Sequence, residues 1–297
     1  MALWALLLLS AAVFAWVKFI DASITVTTDR NNGLEAKALA HSGVMVALSP
    51  QVTRFTPLLD QQFAPDRGYK VQVTGEAGRL NLNWLLNPAT SPDPAKLAIF
   101  QRYLSQRGLN IQQQLRLIDC ALDWLSPGNV PRINGAKADV DYHPPGRGAF
   151  LSVDELAMVK GTQPLVSQAG WQDDFTIYTQ GQIDLQSASA RILQCLPGVG
   201  TPNVYRFLQV RMGPDGIDGT LDDYDFSKHG GVTYAMNLLG LSSLQVQVLT
   251  PYVIIDNPQT PTVHIRSIGQ CGTVFRRVEV VARKQGLQPN ILSWKEF

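Results

Sequence analysis

The sequence Met1-Ala-Leu-Trp-Ala-Leu-Leu-Leu-Leu-Ser-Ala-Ala-Val-Phe-Ala-Trp-Val-Lys-Phe-Ile20 contains no charged side chain before Lys18. A helix rises about 1.5 Å per residue, so this stretch spans about 30 Å, close to the thickness of the hydrocarbon core of a bilayer. No second stretch of this kind occurs in the 297 residues. The sequence therefore predicts a single membrane anchor over residues 1–20.

A cleaved signal peptide is the alternative interpretation of this stretch. Such a peptide has basic residues before its apolar region and small residues at its cleavage site, whereas the stretch passes through Trp16 and Phe19 without either feature. The helical pattern then continues through apolar residues at Ala22, Val26, Leu34, Ala38, Val44 and Leu48. Only Gly33 and Gly43 weaken it. We therefore predict one helix from Met1 to about Leu48, with its first half in lipid and its second half amphipathic.

The composition argues against several classes of protein. Lysine and arginine number 25 against 24 acidic residues, so no net charge attracts the chain to nucleic acid. Charged residues make up only 16%, and the 24 glycines and 18 prolines indicate an ordered fold rich in loops. The spacing of Cys120, Cys195 and Cys271 matches no zinc or redox pattern. We interpret them as buried small apolar residues, with one disulfide as the alternative.

Alternating apolar and polar residues predict two similar hairpins. Residues 69–74 and 80–83 alternate on either side of a glycine-containing turn, and residues 175–179 and 182–186 repeat this arrangement about 105 residues later. A helical pattern follows each pair. The repetition suggests an internal duplication that bears on topology only.

The middle and the end of the chain differ in pattern. Apolar residues at helical spacing predict helices over 94–107, 112–125 and 153–160. Later alternation predicts strands over 244–249, 252–255, 262–268, 273–282 and 291–294. A helical block thus separates an early hairpin from a late sheet, which indicates an α+β protein. Either it has two soluble domains, or a helical domain is inserted into a β domain.

The segment Leu196-Pro-Gly-Val-Gly200, followed by a predicted helix over 202–210, has the signature of a helix-hairpin-helix module. Its glycines permit a tight turn and expose backbone N–H groups, which contact phosphate in DNA-binding versions. Only Arg206 and Arg211 lie near the turn, so the basic surface that nucleic acid requires is missing. We favour a structural use of this hairpin and keep a membrane-tethered DNA-binding or DNA-uptake protein as the alternative.

An acidic stretch follows that predicted helix. Five carboxylates lie within eleven residues, at Asp215, Asp218, Asp222, Asp223 and Asp225. Calcium takes six to eight oxygen ligands on a flexible loop, and this composition supplies oxygens and glycine bends, although the spacing is not that of an EF-hand. Two interpretations remain open: a calcium loop and a solvated acidic turn.

A second acidic group comprises Asp119, Asp123, Asp139 and Asp141. Asp119 and Asp123 lie four residues apart on one face of a predicted helix, where they can cap or hydrogen-bond the loop that follows. A periplasmic hydrolase that uses these two as an acid pair is a rival hypothesis. The chain has no nucleophile elbow, phosphate loop, zinc-protease motif or dinucleotide fingerprint, so we predict a protein that is not an enzyme.

Six stretches of the chain, in this order and spacing, match a known family: Leu3–Leu7, Gly78–Asn83, Leu117–Trp124, Phe150–Gly161, Ile183–Ser189 and Ile291–Glu296. With them the chain resembles the K-type minor pseudopilins of bacterial type II secretion systems over nearly its whole length. The resemblance implies a long N-terminal pilin-like helix packed on a small antiparallel sheet, with a large helical domain inserted into that sheet. The helix-hairpin-helix-like element lies in the inserted domain.

The resemblance also divides the chain and implies a role. The divisions are an anchor (1–20), its amphipathic continuation (21–50), a first part of the β domain (51–86), an inserted helical domain (87–240) and the rest of the β domain (241–297). Family members cap the pseudopilus tip and help to start its assembly. The implied partners are the I- and J-type minor pseudopilins, the inner-membrane assembly platform and secreted proteins. We expect a single-pass inner-membrane protein, mostly periplasmic, that takes part in protein export and binds no nucleic acid.

The family is associated with calcium bound in loops of the inserted domain, so calcium is the implied cofactor. By match to the family's acidic stretch, Asp123, Asp139 and Asp141 would be nearest to such a site. Ser126 stands where an acid is usual, which favours the stretch Asp215–Asp225 instead.

Two features of the N-terminal stretch concern processing and position. Family members begin with a basic leader that is cut just before the apolar helix, and none precedes Met1. We expect either a start at an internal methionine or a divergent member that skips processing. The first twenty residues contain no glutamate, as is typical of the K type. This absence fits a tip subunit, because that glutamate docks one pilin beneath another.

Overall fold

The computed structural model describes residues 2–87, 93–255, 262–284 and 288–297. Within them, the helices are α1 (Ala2–Leu48), α2 (Leu82–Leu85), α3 (Pro94–Gln106), α4 (Ile111–Leu125), α5 (Gln163–Val166), α6 (Ala190–Cys195), α7 (Thr201–Arg211), α8 (Gly231–Leu238) and α9 (Ser243–Leu249). The strands are β1 (Asp60–Ala64), β2 (Arg67–Gly75), β3 (Leu80–Asn81), β4 (Phe175–Thr176), β5 (Ile183–Asp184), β6 (Val253–Ile254), β7 (Thr262–Cys271), β8 (Val274–Arg283) and β9 (Asn290–Glu296).

The main sheet joins the two ends of the soluble part. Its strand order is β1-β2-β7-β8-β9, and every neighbouring pair is antiparallel. Strands β2 and β7 pair without interruption from Arg67 opposite Cys271 to Gly75 opposite Val263. The helical region therefore leaves the sheet after one central strand and returns at the strand beside it. This arrangement confirms the predicted α+β fold with a helical insertion.

Helix α1 is continuous over 47 residues, as predicted. Among its described side chains, those before Asn32 are exposed. These exposed side chains include large apolar ones such as Trp16 and Phe19, each of which is 69% exposed. The N-terminal part of α1 therefore lies clear of the rest of the described chain, and only its C-terminal part packs on the sheet.

Of the apolar positions that continue the helical pattern of α1, Val44 and Leu48 are buried and the others are exposed. The predicted apolar positions Val26 and Leu34 are 67% and 62% exposed. The residues that contact the sheet are mostly small: Gly33, Ala36, Ala40, Gly43, Val44, Ala47 and Leu48. On the sheet side, a Cβ at Gly269 of β7 would lie 2.0 Å from the carbonyl oxygen of Ala36 and 2.5 Å from the amide nitrogen of Ala40. The two backbones thus lie so close that only glycine fits between them.

Neither predicted hairpin forms. After β2 the chain makes a single 3-10 turn over Glu76–Gly78, and β3 then pairs in parallel with β4 instead of returning along β2. In the second unit, β5 pairs in parallel with β6 and not with β4. The side chain of Asn81 accepts a hydrogen bond from the amide of Trp84 and caps α2. This cap ends β3 after two residues, so no hairpin strand follows.

Several predicted helices of the insertion form, whereas α2, α5 and α8 have no predicted counterpart. Helices α3 and α4 lie where the spacing places them, whereas the predicted helix over 153–160 is a 3-10 helix, Val153–Met158, capped by the hydroxyl of Ser152. The predicted strand over 244–249 is helix α9. Its capping box joins the side chains and backbones of Ser242 and Gln245, and this local pairing outweighs the apolar alternation.

Two apolar cores lie in the two parts of the molecule. One consists of α1 and the main sheet, and the other extends through the insertion from Leu80 to Ile255. At their junction His264 of β7 is buried, and its Nε2 atom lies 3.4 Å from an Nη atom of Arg79. Burial, together with the nearby positive charges of Arg79, Arg266 and Lys295, lowers the pKa of His264 to about 3. The imidazole is therefore neutral in the folded protein.

We predict that Gly269→Val lowers the free energy of unfolding by about 3 kcal/mol, because the new side chain collides with the backbone of α1 and not with a movable side chain. Urea denaturation of the full chain in detergent measures this effect. Gly128→Val is the matched control, since no heavy atom lies within 4 Å of the Cβ position at Gly128. Equal stability of the two variants would contradict the packing described here.

We also predict that stability decreases in acid because of His264. Its folded pKa of about 3 lies below the unfolded value of 6.5, so between these pH values the unfolded chain binds a proton that the folded chain does not. The wild type should lose up to about 1.4 kcal/mol of unfolding free energy per pH unit below 6.5 relative to His264→Gln. Other groups titrate in both proteins and cancel in this difference. Parallel pH profiles of the two proteins would count against this prediction.

Candidate functional site

The first candidate functional surface is the exposed part of α1. Among the described residues, α1 is the one helix whose length and composition suffice to cross a bilayer, because an 18-residue window within Leu9–Leu48 has a mean hydropathy of 1.5. The described apolar side chains before Asn32 are all exposed. This geometry can hold the helix in lipid and leave its side chains available to neighbouring helices.

The second candidate is the acidic loop, Asp215–Asp225, which follows α7. Glycines with positive φ, Gly216 and Gly219, form its bends. The loop reaches the main sheet, because the amide of Val73 on β2 donates to the carbonyl oxygen of Gly219 over 3.3 Å. Strand β1 covers β2 only as far as Lys70, so the acidic loop covers the next part of the same edge.

One carboxylate of the acidic loop is paired with a buried arginine. Arg211, the last residue of α7, is fully buried. Its Nε and one Nη atom donate to the two carboxylate oxygens of Asp218 over 2.8 and 2.6 Å. Its other Nη atom donates to the carbonyl oxygens of Leu185 and Ala188 over 3.0 and 2.7 Å. The guanidinium thus binds four oxygens, two of them from a segment outside the loop.

The other carboxylates of the loop bind groups close to them in sequence. Asp222 accepts from the amide of Asp215 and the hydroxyl of Thr220, and the backbone bond lowers its pKa. Asp215 accepts from the amide of Ile217, and Asp225 accepts from Ser227 and Lys228.

Asp223 differs from the other acids of the loop because it is buried. One of its oxygens accepts from the amide of Gly219 over 2.8 Å, and the other has no hydrogen-bond partner among the described residues. Burial raises the pKa of this carboxyl group to about 6. The carboxyl group therefore points into the protein and not toward a shared centre in the loop.

In the second acidic group, Asp119 and Asp123 also accept hydrogen bonds from nearby residues of the same chain. Asp123 is fully buried and accepts from the amide and an Nη atom of Arg132 over 2.9 and 2.7 Å. Asp119 accepts from the amide of Asn134 over 3.1 Å. These contacts confirm that Asp119 and Asp123 hydrogen-bond the loop after α4. As a pair they bind that loop, so the rival hydrolase gains no support from the geometry.

Asp139 and Asp141 are exposed, whereas Asp123 is buried. Asp139 forms an ion pair with Lys160, whose hydrogen bond lowers the pKa of the carboxyl group, and it also accepts from the amide of Asp141 over 3.0 Å. Asp141 itself is exposed. The three acids that the resemblance places near a calcium site therefore have separate surroundings.

A calcium site needs several oxygen ligands that point to one centre. Within residues 2–87, 93–255, 262–284 and 288–297, no three His, Cys, Asp or Glu side chains are grouped so that they could hold a metal ion. In the acidic loop Asp218 is bound to Arg211 and Asp223 points inward. As placed, the residues do not fit a calcium centre. The two calcium hypotheses stay predictions, and no step of the function is derived through the ion.

The helix-hairpin-helix-like element consists of α6, the turn Leu196–Gly200 and α7. Gly198 has a positive φ of 86°, and its Cβ position lies 2.2 Å from the side-chain nitrogen of Gln245 and 3.3 Å from Leu241. The turn therefore packs against the start of α9. This contact supports a structural use of the hairpin.

The three cysteines are free and buried, as interpreted from the sequence. Burial raises the pKa of the Cys195 thiol to about 12, so this thiol stays protonated. None of the three has the lowered pKa of a reactive thiol among the described residues.

Sequence reasoning missed the residues that organise these surfaces. Arg211 was considered only as a basic neighbour of the hairpin, although a lone arginine before five acids is a signal for pairing. Arg132 and Lys137 gave a similar signal, since both follow Asp123 within one loop. The spacing of apolar residues does not indicate that Gly33 and Gly43 contact the sheet.

Comparison with known proteins gives two matches. Residues 78–169 match a family model described as type II secretion system (T2SS), protein K. The resemblance to K-type minor pseudopilins is confirmed. The fold of the chain is similar to that of a chain in the crystal structure of the GspK-GspI-GspJ complex from the enterotoxigenic Escherichia coli type 2 secretion system, with a TM-score of 0.58 and 13% identity over 94% of this chain and 99% of that one. A comparison with curated proteins gives no match.

The family match covers the start of the insertion, including α3, α4 and the loop that Asp119 and Asp123 hold. The structural match extends over almost the whole chain and agrees with the fold derived above. Neither match gives any support to the DNA-binding alternative.

We predict that Asp123→Ala lowers the free energy of unfolding by about 2 kcal/mol, because it removes two hydrogen bonds to a buried charged group. It should also speed proteolysis of the loop after α4. Asp141→Ala, which changes an exposed acid in the same loop, should alter stability by less than about 0.5 kcal/mol. Urea denaturation and limited proteolysis measure both effects. The prediction fails if the two variants behave alike.

Proposed function

We propose that this chain is a structural minor pseudopilin that caps the type II secretion pseudopilus and helps to start its assembly. The observation that carries the proposal is the match of residues 78–169 to protein K of that system. The fold supports it, because a long exposed helix and a sheet with a large insertion are similar to a chain of the GspK-GspI-GspJ complex over 94% of this chain.

The exposed part of α1 is the assembly surface in this proposal. In lipid, apolar side chains gain no hydrophobic free energy by moving from lipid to a partner helix. Helix association therefore depends on close packing at small residues. Ala11 and Ala12 lie in the exposed apolar part of α1 and permit such an approach. The partners would be the I- and J-type minor pseudopilins, as in the complex whose fold is similar, and the inner-membrane assembly platform.

The location follows from the same helix. We infer a single pass through the bacterial inner membrane, with the sheet and the insertion in the periplasm. The insertion would form the cap, where it is available for contact with secreted proteins. The role is one of assembly and not of catalysis, and it is supported by carboxylates that bind the protein's own backbone and basic groups.

We predict that Ala11→Arg abolishes secretion and co-purification of the I- and J-type partners from detergent-solubilised membranes. An arginine at this depth opposes insertion by about 3 kcal/mol and blocks a close helix contact. Ala12→Leu separates these two effects, because it keeps the helix apolar and only widens it. We expect Ala12→Leu to fractionate with membranes and to lose partner co-purification at least in part.

The matched control is Ala138→Arg, which places the same charge at an exposed position of the insertion. It should secrete and co-purify like the wild type. Normal secretion by Ala11→Arg, or full partner recovery by both α1 variants, would overturn the assembly role of this helix.

A further inference from the structure

In each acidic group, one buried or partly buried carboxylate and nearby carbonyl oxygens are bound by basic side chains of the same chain. Calcium prefers such oxygens as ligands. In the acidic loop the guanidinium of Arg211 binds both oxygens of Asp218 and the carbonyl oxygens of Leu185 and Ala188. One positive group thus bridges the loop and the segment that follows β5.

The loop after α4 repeats this arrangement with two basic residues. Arg132 donates to a carboxylate oxygen of Asp123 over 2.7 Å and to the hydroxyl of Ser126 over 3.2 Å. The Nζ atom of Lys137 lies 2.7 Å from each of the carbonyl oxygens of Asp123 and Ser126. The carbonyl oxygens at the end of α4 therefore bind an ammonium group.

We propose that Arg211 in the acidic loop, and Arg132 with Lys137 in the loop after α4, are internal cations that fold these loops without a divalent metal ion. A calcium ion could take Asp218 or Asp123 only by displacing the basic group. For Arg211 the displaced guanidinium would stay buried without its partners, which opposes the exchange.

The pairing of Arg211 with Asp218 affects the main sheet as well as the acidic loop. The acidic loop contacts β2 through Gly219, and Gln72 of β2 donates to the carbonyl oxygen of Asp218 over 3.4 Å. Because Arg211 holds Asp218, it also keeps the insertion attached at this edge of the sheet. That attachment is then independent of the calcium concentration around the protein. The proposal concerns the loops alone and does not depend on the role in secretion.

The test is amide hydrogen exchange of the full chain in detergent micelles, followed by mass spectrometry of peptides from 213–225 and 126–137. We expect the wild type to exchange equally, within about twofold, in excess chelator and in millimolar calcium chloride. Calcium that slowed either peptide by more than about tenfold would overturn the proposal for that loop.

Variants show whether the basic groups are the cause. Arg211→Gln should speed exchange in 213–225 by about tenfold or more and leave 126–137 unchanged, and Arg132→Gln should do the reverse. Arg206→Gln is the matched control, because Arg206 is exposed on the same helix α7. An Arg211→Gln variant that exchanges like this control would contradict the proposal. If Arg211→Gln does not fold, the exchange of the wild type with and without calcium still tests the proposal.

Discussion

The close contact between α1 and the main sheet is the constraint on which the rest of the structure depends. The helix crosses strands from both ends of the soluble part, β2 before the insertion and β7 and β8 after it. Glycine and alanine on the helix and Gly269 on β7 bring the two backbones together. Because the helix continues from the apolar segment, this contact also fixes the direction in which the soluble part is held relative to that segment.

The contact explains how the sheet tolerates a large insertion. The ends of the insertion leave from adjacent antiparallel strands, so they lie close together. The pairing of β2 and β7 over nine residues holds these ends whatever lies between them. The insertion has its own apolar core and returns to the sheet through the acidic loop at Val73. It is thus attached at its ends and also through the acidic loop at the sheet edge.

The sequence predicted helices and strands that depend on neighbouring residues. It missed contacts between residues that lie far apart in the chain. The lengths of α1, α3 and α4 follow from apolar spacing and end signals, and the late strands follow from alternation. The pairing of β3 with β4 joins Leu80 and Phe175, which no local pattern connects. Large apolar residues indicate the buried face of α1 only in part, because Val26 and Leu34 are exposed. In a backbone-to-backbone contact the absence of a side chain matters instead, as at Gly269.

The acidic groups show a related limit of sequence reasoning. Counting carboxylates indicates where oxygens cluster, but the partner of each oxygen depends on which basic group the fold brings near it. The near-neutral balance of 25 basic and 24 acidic residues is consistent with local pairing, as when Asp174 binds Arg107, Arg191 and the hydroxyl of Tyr103 inside the insertion. Such buried pairs add little net stability, whereas loss of one partner leaves the other buried charge uncompensated. With these charges satisfied internally, the apolar part of α1 is a large exposed surface of the described chain, and its length and composition suffice to cross a bilayer.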